Sequence, residues 1–173
     1  MNLGADIRIK ENLKELKLAV ILKELEPHLR EARETQQSYE EFLLNLTEIE
    51  LRSRSENSLK RRLRDAKFPL MKPMETFNFE KTPDLDVRLI KSLSMCEFIE
   101  QKQNIVFMGR SGTGKTHLAT ALGIEACRKG IKTRFVTGCG IVNELIEARD
   151  DRCLKRLLNR YGRYELLILD ELG

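Results

Sequence analysis

The run GRSGTGKT, from Gly109 to Thr116, constrains the fold of this chain more than any other feature. It satisfies the pattern G-x-x-x-x-G-K-[ST] at every position, in which glycines let successive backbone N–H groups converge on phosphate oxygens. In that pattern the lysine brings a positive charge to the outer phosphates and the hydroxyl ligates Mg²⁺. A glycine-rich turn without a ligand does not explain the strand and helix patterns on either side. The sequence therefore predicts a phosphate site formed by Gly109, Arg110, Ser111, Gly112, Thr113, Gly114, Lys115 and Thr116.

Short apolar runs alternate with helical patterns around this loop. Residues 104–108 (NIVFM), 133–137 (TRFVT) and 165–169 (ELLIL) are predicted strands. Residues 84–101, 116–128, 141–149 and 153–161 are predicted helices, the second of them closed by Gly130. Continuous apolar strands separated by helices indicate a parallel sheet with helices on both faces. The predicted fold class is therefore α/β, with a P-loop NTPase core over residues 84–173.

A different pattern precedes this core. Residues 1–67 are predicted to form a small all-α N-terminal module, since apolar residues recur at helical spacing from Leu13 to Leu29 and no glycine occurs between Lys10 and Ala66. Pro27 predicts a kink or break, and Ser38 with Glu41 forms a capping box that starts another helix. Residues 68–83, with prolines at 69, 73 and 83, are a predicted linker whose phenylalanines we expect to be packing anchors.

The excess positive charge lies in one segment of that module. Between Leu51 and Lys67 stand seven bases and two acids, a net +5, against +4 for the whole chain. Such a helix would neutralise several DNA phosphates in a sequence-independent, salt-sensitive way. A solvated helix face is the alternative, and the sequence leaves both open. The candidate DNA-binding residues are Arg52, Arg54, Lys60, Arg61, Arg62, Arg64 and Lys67.

Two adjacent carboxylates, Asp170 and Glu171, follow the last apolar run. Behind a phosphate loop, such a pair is the expected second half of a nucleotide hydrolysis site. Asp170 would hold Mg²⁺ through water, and Glu171 would orient and deprotonate the attacking water. Two solvated acids at a strand end are the alternative. We expect the catalytic pair.

The run GRSGTGKTHLATALGIEACRKGIKTRFVT, together with IVNELIEAR and YELLILDELG, resembles the IstB-like ATP-binding proteins. These are helper ATPases of bacterial insertion sequences, related to the helicase loader DnaC within the AAA+ group. The resemblance covers nearly the whole chain, and its most specific part, GKTHLA, adds His117 to the nucleotide-binding candidates. It implies an ATP- and Mg²⁺-dependent homo-oligomer that binds DNA and assists a transposase.

Similar proteins continue beyond the terminal DELG with a further strand, a sensor residue and an arginine finger. We therefore expect a chain truncated after the Walker B motif and a sheet incomplete at its C-terminus. In such sheets the missing strand lies between 104–108 and 165–169, which then either pair directly or leave a gap. Three interpretations stay open: an ATPase subunit competent at full length, a non-catalytic remnant that binds DNA or a partner, and a loader of a replicative helicase.

Composition excludes other classes of protein. No apolar run reaches the roughly eighteen residues that a membrane-spanning helix needs, and the N-terminus has no signal-peptide core, so we expect a cytoplasmic protein. The four cysteines lie far apart, with no CxxC pair and no histidine cluster. We expect them to be small buried or half-buried fillers rather than disulfide or zinc ligands.

Overall fold

A computed structural model describes residues 3–83 and 85–171, apart from the side chain of Leu3. The chain divides into two compact units, residues 1–58 and 59–173. The division falls inside a helix, whereas the sequence places boundaries after residues 67 and 83. The reason is that the end of this helix packs with the second unit. Ala66 is fully buried, and Arg62 Nε donates to the carbonyl oxygen of Cys127 at 2.8 Å.

The first unit is helical where it is described. It comprises α1 (Leu3–Glu15), α2 (Ala19–Thr35) and α3 (Tyr39–Ala66) as far as residue 58. Its core is formed by Ile21, Leu25 and Leu46. The capping box is confirmed: the Ser38 backbone N–H donates to Glu41 Oε2 at 3.0 Å, and the Glu41 N–H donates to Ser38 Oγ at 3.2 Å.

Of the kink or break predicted at Pro27, the break is wrong, because α2 continues through this residue. The chain turns earlier, at Lys17, whose φ is +56°. There the Leu18 N–H bonds to the Leu13 carbonyl at 2.9 Å and the Lys17 N–H to the Lys14 carbonyl at 3.0 Å. This is the Schellman ending that glycine usually provides. A lysine in the left-handed position gives no such signal in the sequence.

The second unit is an α/β structure, as predicted. After α3 it contains 3₁₀ turns at Met74–Thr76 and Phe79–Lys81, then α4 (Val87–Leu93), α5 (Glu97–Glu100), α6 (Lys115–Arg128), β1 (Thr133–Thr137), α7 (Gly138–Asp150), α8 (Leu154–Tyr161) and β2 (Leu166–Asp170). The two strands are parallel, with Thr133 opposite Leu166 and Thr137 opposite Asp170. Their C-terminal ends therefore meet at one edge of the sheet.

Two predicted elements differ from the structure. The helix over 84–101 is two short helices, since Cys96 between them has a left-handed φ of +62°. The strand over 104–108 is absent from the described residues. Val106 and Met108 are 78% and 89% exposed, while Phe107 packs against buried Phe77 and its neighbours. An apolar run forms a strand only where a neighbour completes its hydrogen bonds, and these residues do not pair with β2.

Helix α6 packs closely on the sheet. A Cβ added to Gly123 would lie 2.7 Å from Ile168 Cδ1 and 2.7 Å from Phe68 Cε1, so glycine permits this approach. The predicted C-terminal cap is confirmed, because Gly130 has a φ of +93° and the Ile131 N–H bonds to the Ala126 carbonyl at 3.0 Å. None of the helices in the described ranges combines the length and apolar character needed to cross a membrane.

Candidate functional site

The predicted phosphate loop has the backbone that its glycines allow. Gly112 and Gly114 adopt left-handed conformations with φ of +79° and +88°. A Cβ on Gly112 would meet nothing within 4 Å, so its glycine is required by backbone conformation alone. At Gly114 a Cβ would also lie 2.8 Å from the ring of Phe77, which packs against the loop. The loop thus turns sharply into α6 and directs the N-terminal N–H groups of that helix toward the loop.

The lysine of the motif begins α6, and its side chain contacts the loop. Lys115 Nζ donates to the carbonyl oxygens of Gly109 and Arg110, each at 2.8 Å. Thr113 Oγ1 also donates to the Arg110 carbonyl, at 2.8 Å. The ammonium group is therefore held beside the backbone that would surround a phosphate. It would exchange carbonyl partners for anionic oxygens, which bind an ammonium group more strongly.

The structure brings the two predicted metal ligands together. Thr116 Oγ1 donates to Asp170 Oδ2 at 2.9 Å across 54 residues of sequence. Thr116 is in the first turn of α6, and Asp170 ends β2, so the helix start and the strand end meet at the phosphate loop. Hydroxyl and carboxylate oxygens are donors that Mg²⁺ prefers, and this pair fits the metal that the motif implies.

Glu171, the predicted catalytic base, is the residue immediately after Asp170. Glu171 is exposed and has a left-handed φ of +54°. It is thus beside Asp170 at the edge where the strands end, with its carboxylate open to solvent. Ligands of parallel sheets bind at this edge, outside the carboxyl ends of the strands.

A segment of the predicted linker supports the start of α6. His117 Nε2 lies 3.2 Å from the Thr76 hydroxyl and 3.2 Å from the Pro73 carbonyl oxygen. The Phe77 ring is buried and meets the His117 ring edge-on at 5.1 Å. His117 therefore contacts the linker, and its place among the nucleotide-binding residues stays a prediction. The supporting role of Thr76 had no signal in the sequence, whereas Phe77 is the expected anchor.

The candidate DNA-binding bases separate into different environments. Arg54 Nε bonds to Glu50 Oε1 at 2.9 Å and its Nη2 to the Lys17 carbonyl at 3.0 Å, so this residue has a structural role within the first unit. Arg52 and Lys60 are exposed. The other four candidates line a pocket of about 710 Å³ in the second unit: Arg61, Arg62, Arg64 and Lys67.

Four further bases of this pocket are not among the residues predicted from the sequence. Lys132, Arg134, Arg160 and Arg163 line it together with the candidates from α3. These four are widely spaced and no motif connects them. Lys132, Arg160 and Arg163 stand close to predicted helix ends, a position that bases commonly occupy for local reasons. Arg134 lies inside the predicted strand 133–137.

Comparison with known proteins identifies the family of this chain. Residues 11–173 match the family described as IstB-like ATP binding protein. The chain is 39% identical over 136 residues to an insertion sequence IS5376 protein of Geobacillus stearothermophilus, covering 79% of this chain and 54% of the relative. It is 34% identical over 166 residues to an IS232 protein of Bacillus thuringiensis subsp. berliner, covering 96% and 66%.

A third relative, an IS21 protein of Pseudomonas aeruginosa, is 32% identical over 161 residues, covering 93% of this chain and 61% of the relative. All three are named as ATP-binding proteins of insertion sequences. The chain thus spans between 54% and 66% of the length of these relatives.

Proposed function

Because the chain belongs to the family of IstB-like ATP-binding proteins, we propose that it binds ATP with Mg²⁺ at residues 109–116 and hydrolyses it in a DNA-bound homo-oligomer that assists a transposase. The observation that carries this proposal is the 2.9 Å bond between Thr116 and Asp170, which joins the two halves of the expected site. The ammonium group of Lys115, which bonds to the Gly109 carbonyl oxygen of the loop, is a third observation in its favour.

Each group has a defined role in the proposal. Backbone N–H groups of the loop and the start of α6 bind the phosphates, and Lys115 offsets their outer charge. Thr116 and Asp170 would hold Mg²⁺, which when bound offsets the charge on the β- and γ-phosphates. Glu171 orients water and accepts its proton.

The proposed partners rest on the relatives and on charge. The relatives belong to insertion sequences, which favours a transposase over a replicative helicase as the partner. The arginine and lysine side chains of α3 support contact with DNA phosphates, because a cluster of cations on one helix attracts a polyanion irrespective of its sequence. Copurification with a transposase, compared with a replicative helicase, tests the choice of partner.

The primary experiment measures Mg·ATP binding by calorimetry, with phosphate release followed in the same samples. We expect Lys115→Ala to abolish binding. Lys91→Ala is the matched control, because Lys91 is exposed on α4 and its substitution removes the same charge. Unchanged binding by Lys115→Ala would contradict the proposed site.

Phosphate release separates the remaining interpretations. We expect Glu171→Gln to keep ATP binding and lower phosphate release about 100-fold or more, since a general base contributes on that order. ATP binding without any release by the unaltered chain, lost in Lys115→Ala, would instead support the interpretation of an ATPase subunit that is competent only at full length. Release that is equal in the unaltered chain and Glu171→Gln would remove Glu171 from the mechanism.

A further inference from the structure

The pocket beside the end of α3 has an unusual concentration of positive charge. Its lining among the described residues contains eight bases and one acid, a net +7, whereas the whole chain carries +4. The bases come from three separate parts of the sequence: the end of α3, the α6–β1 connection with the start of β1, and the end of α8 with the residues that follow it. The fold therefore collects this charge. The lining bases are Arg61, Arg62, Arg64, Lys67, Lys132, Arg134, Arg160 and Arg163.

Local structure does not account for all these bases. A base at a helix end often bonds the last carbonyls, but here backbone N–H groups already do so. The Lys67 N–H bonds to Arg64 O at 3.3 Å, and the Arg163 N–H bonds to Arg160 O at 3.2 Å. At the end of α6, the Gly130 N–H bonds to the Cys127 carbonyl at 3.1 Å. Apart from Arg62, whose Nε donates to the Cys127 carbonyl oxygen, the side chains are thus not needed as caps.

Ion pairing uses only part of the charge. Arg134 and Arg160 both bond to Glu144, and Arg64 lies 3.7 Å from Asp65. The side chains of Arg61, Lys67, Lys132 and Arg163 make no hydrogen bond or ion pair with any residue that the structure describes. Like charges in one concavity repel one another, so a polyanion that enters it relieves this repulsion as well as gaining attraction.

The shape of the charged surface favours a long ligand. Arg160 and Arg163 also line an adjoining concave region with Arg152, Lys155 and Arg156, and no acid lines that region among the described residues. The cations therefore continue past the pocket along α8. A small anion would use one pocket, whereas a nucleic acid backbone places phosphates along its length.

We propose that the pocket formed by the end of α3, the α6–β1 connection and the end of α8 binds the phosphate backbone of DNA, with Lys132 and Arg163 as contacts. This inference rests on the proposed function, and it names where on the second unit DNA is held. Binding is sequence-independent, because phosphates carry no sequence information.

The test is fluorescence anisotropy of a labelled DNA duplex titrated with the full chain over a range of salt concentrations. The test variant is Lys132→Ala with Arg163→Ala. The matched control is Arg88→Ala with Lys91→Ala, which removes two exposed bases of α4 in the same unit. Thermal unfolding and Mg·ATP binding are measured for each protein, and we expect the test variant to leave both unchanged.

We expect the test variant to bind DNA about tenfold or more weakly at about 0.1 M salt, and its slope of log K against log salt to be shallower by about 2. The control keeps the affinity and slope of the unaltered chain. The charge-conserving variant, Lys132→Arg with Arg163→Lys, restores both. This pattern supports the pocket as a phosphate site.

Other outcomes overturn the inference in distinguishable ways. If the unaltered chain binds DNA and the test variant binds equally well, DNA is held elsewhere and the proposed function stands. If the unaltered chain does not bind DNA, the inference and the DNA step of the proposed function fail together, while ATP binding remains separately measured. Displacement of the duplex by pyrophosphate or by polyglutamate as effectively as by unlabelled DNA would assign the pocket to a small anion or an acidic protein segment.

Discussion

A carboxylate on α3 caps the start of α2, and its removal gives the sharpest stability prediction. The Glu50 side chain is only 7% exposed. Its Oε2 accepts the Val20 N–H at 3.0 Å and the Ile21 N–H at 3.2 Å, while Oε1 accepts Arg54 Nε at 2.9 Å. The N-cap residue Leu18 supplies no side-chain bond of its own. Glu50 therefore replaces the local cap that the sequence of α2 lacks.

We expect Glu50→Ala to destabilise the first unit by about 3 kcal/mol. Loss of a helix cap costs about 1 kcal/mol. The Ile21 N–H is buried and loses its acceptor, which adds roughly 1–2 kcal/mol, whereas half-exposed Val20 regains water. Loss of the pair with half-exposed Arg54 adds less than about 1 kcal/mol. Glu50→Gln keeps an acceptor oxygen, so we expect about half the effect.

The same carboxylate makes the stability of the first unit depend on pH. Burial acts to raise the pKa of Glu50, but hydrogen bonds from Arg54, Ile21 and Val20 outweigh it and leave the pKa below its ordinary 4.5. The unfolded chain therefore binds this proton at a higher pH than the folded chain does. The stabilisation is fully present above about pH 4.5 and is lost as pH falls through the lower folded pKa.

Urea unfolding followed by circular dichroism, with hydrogen exchange of the first α2 amides, measures the effect. Glu48→Ala is the control, because Glu48 is an exposed acid on the same helix. We expect only Glu50→Ala to shift the unfolding midpoint and to accelerate exchange at the start of α2. A free energy of unfolding within about 0.5 kcal/mol of that of the control would refute this reasoning.

Three further predictions concern the second unit. Gly123→Val should lower the free energy of unfolding of this unit by about 2 kcal/mol in urea unfolding, because the added methyl groups would overlap Ile168 and the ring of Phe68. The control is Gly162→Ala, whose added methyl meets only ordinary contacts, and it should be nearly neutral. His117→Ala should accelerate hydrogen exchange in residues 73–77 by removing the Nε2 contacts with Thr76 and Pro73, and unchanged exchange would contradict a supporting role for these contacts. Cys139 is exposed, whereas Cys127 is buried and burial raises the pKa of its thiol. Alkylation at pH 8, followed by mass spectrometry, should therefore modify Cys139 before Cys127. Equal rates of alkylation at the two cysteines would be inconsistent with this burial.

Local patterns were sufficient to predict much of the fold and the candidate site. The phosphate loop, the capping box at Ser38 and the glycine cap at Gly130 depend on residues a few positions apart, whose backbone conformations and hydrogen bonds are set by residue type. The strands at 133–137 and 165–169 were found within one residue, since both have a parallel neighbour to complete their hydrogen bonds. Cys139 departs from the expected burial, as its exposure is decided by packing.

Other features depended on residues that lie far apart in the chain. The run at 104–108 has the composition of a strand, but it does not become one without a hydrogen-bonded neighbour. Arg54 looks like a DNA-binding base in the sequence, and only the fold shows it bonded to Glu50 and the Lys17 carbonyl.

The sequence by itself determined that a loop with the pattern G-x-x-x-x-G-K-[ST] precedes a helix and that a carboxylate pair ends a later strand, because such motifs depend on short spacings. Only the tertiary structure decided that Thr116 and Asp170 touch, and that bases from three segments share one pocket. The physical reason is range: residue type fixes backbone torsions over a few positions, whereas the neighbours of a side chain are chosen by how whole helices and strands pack.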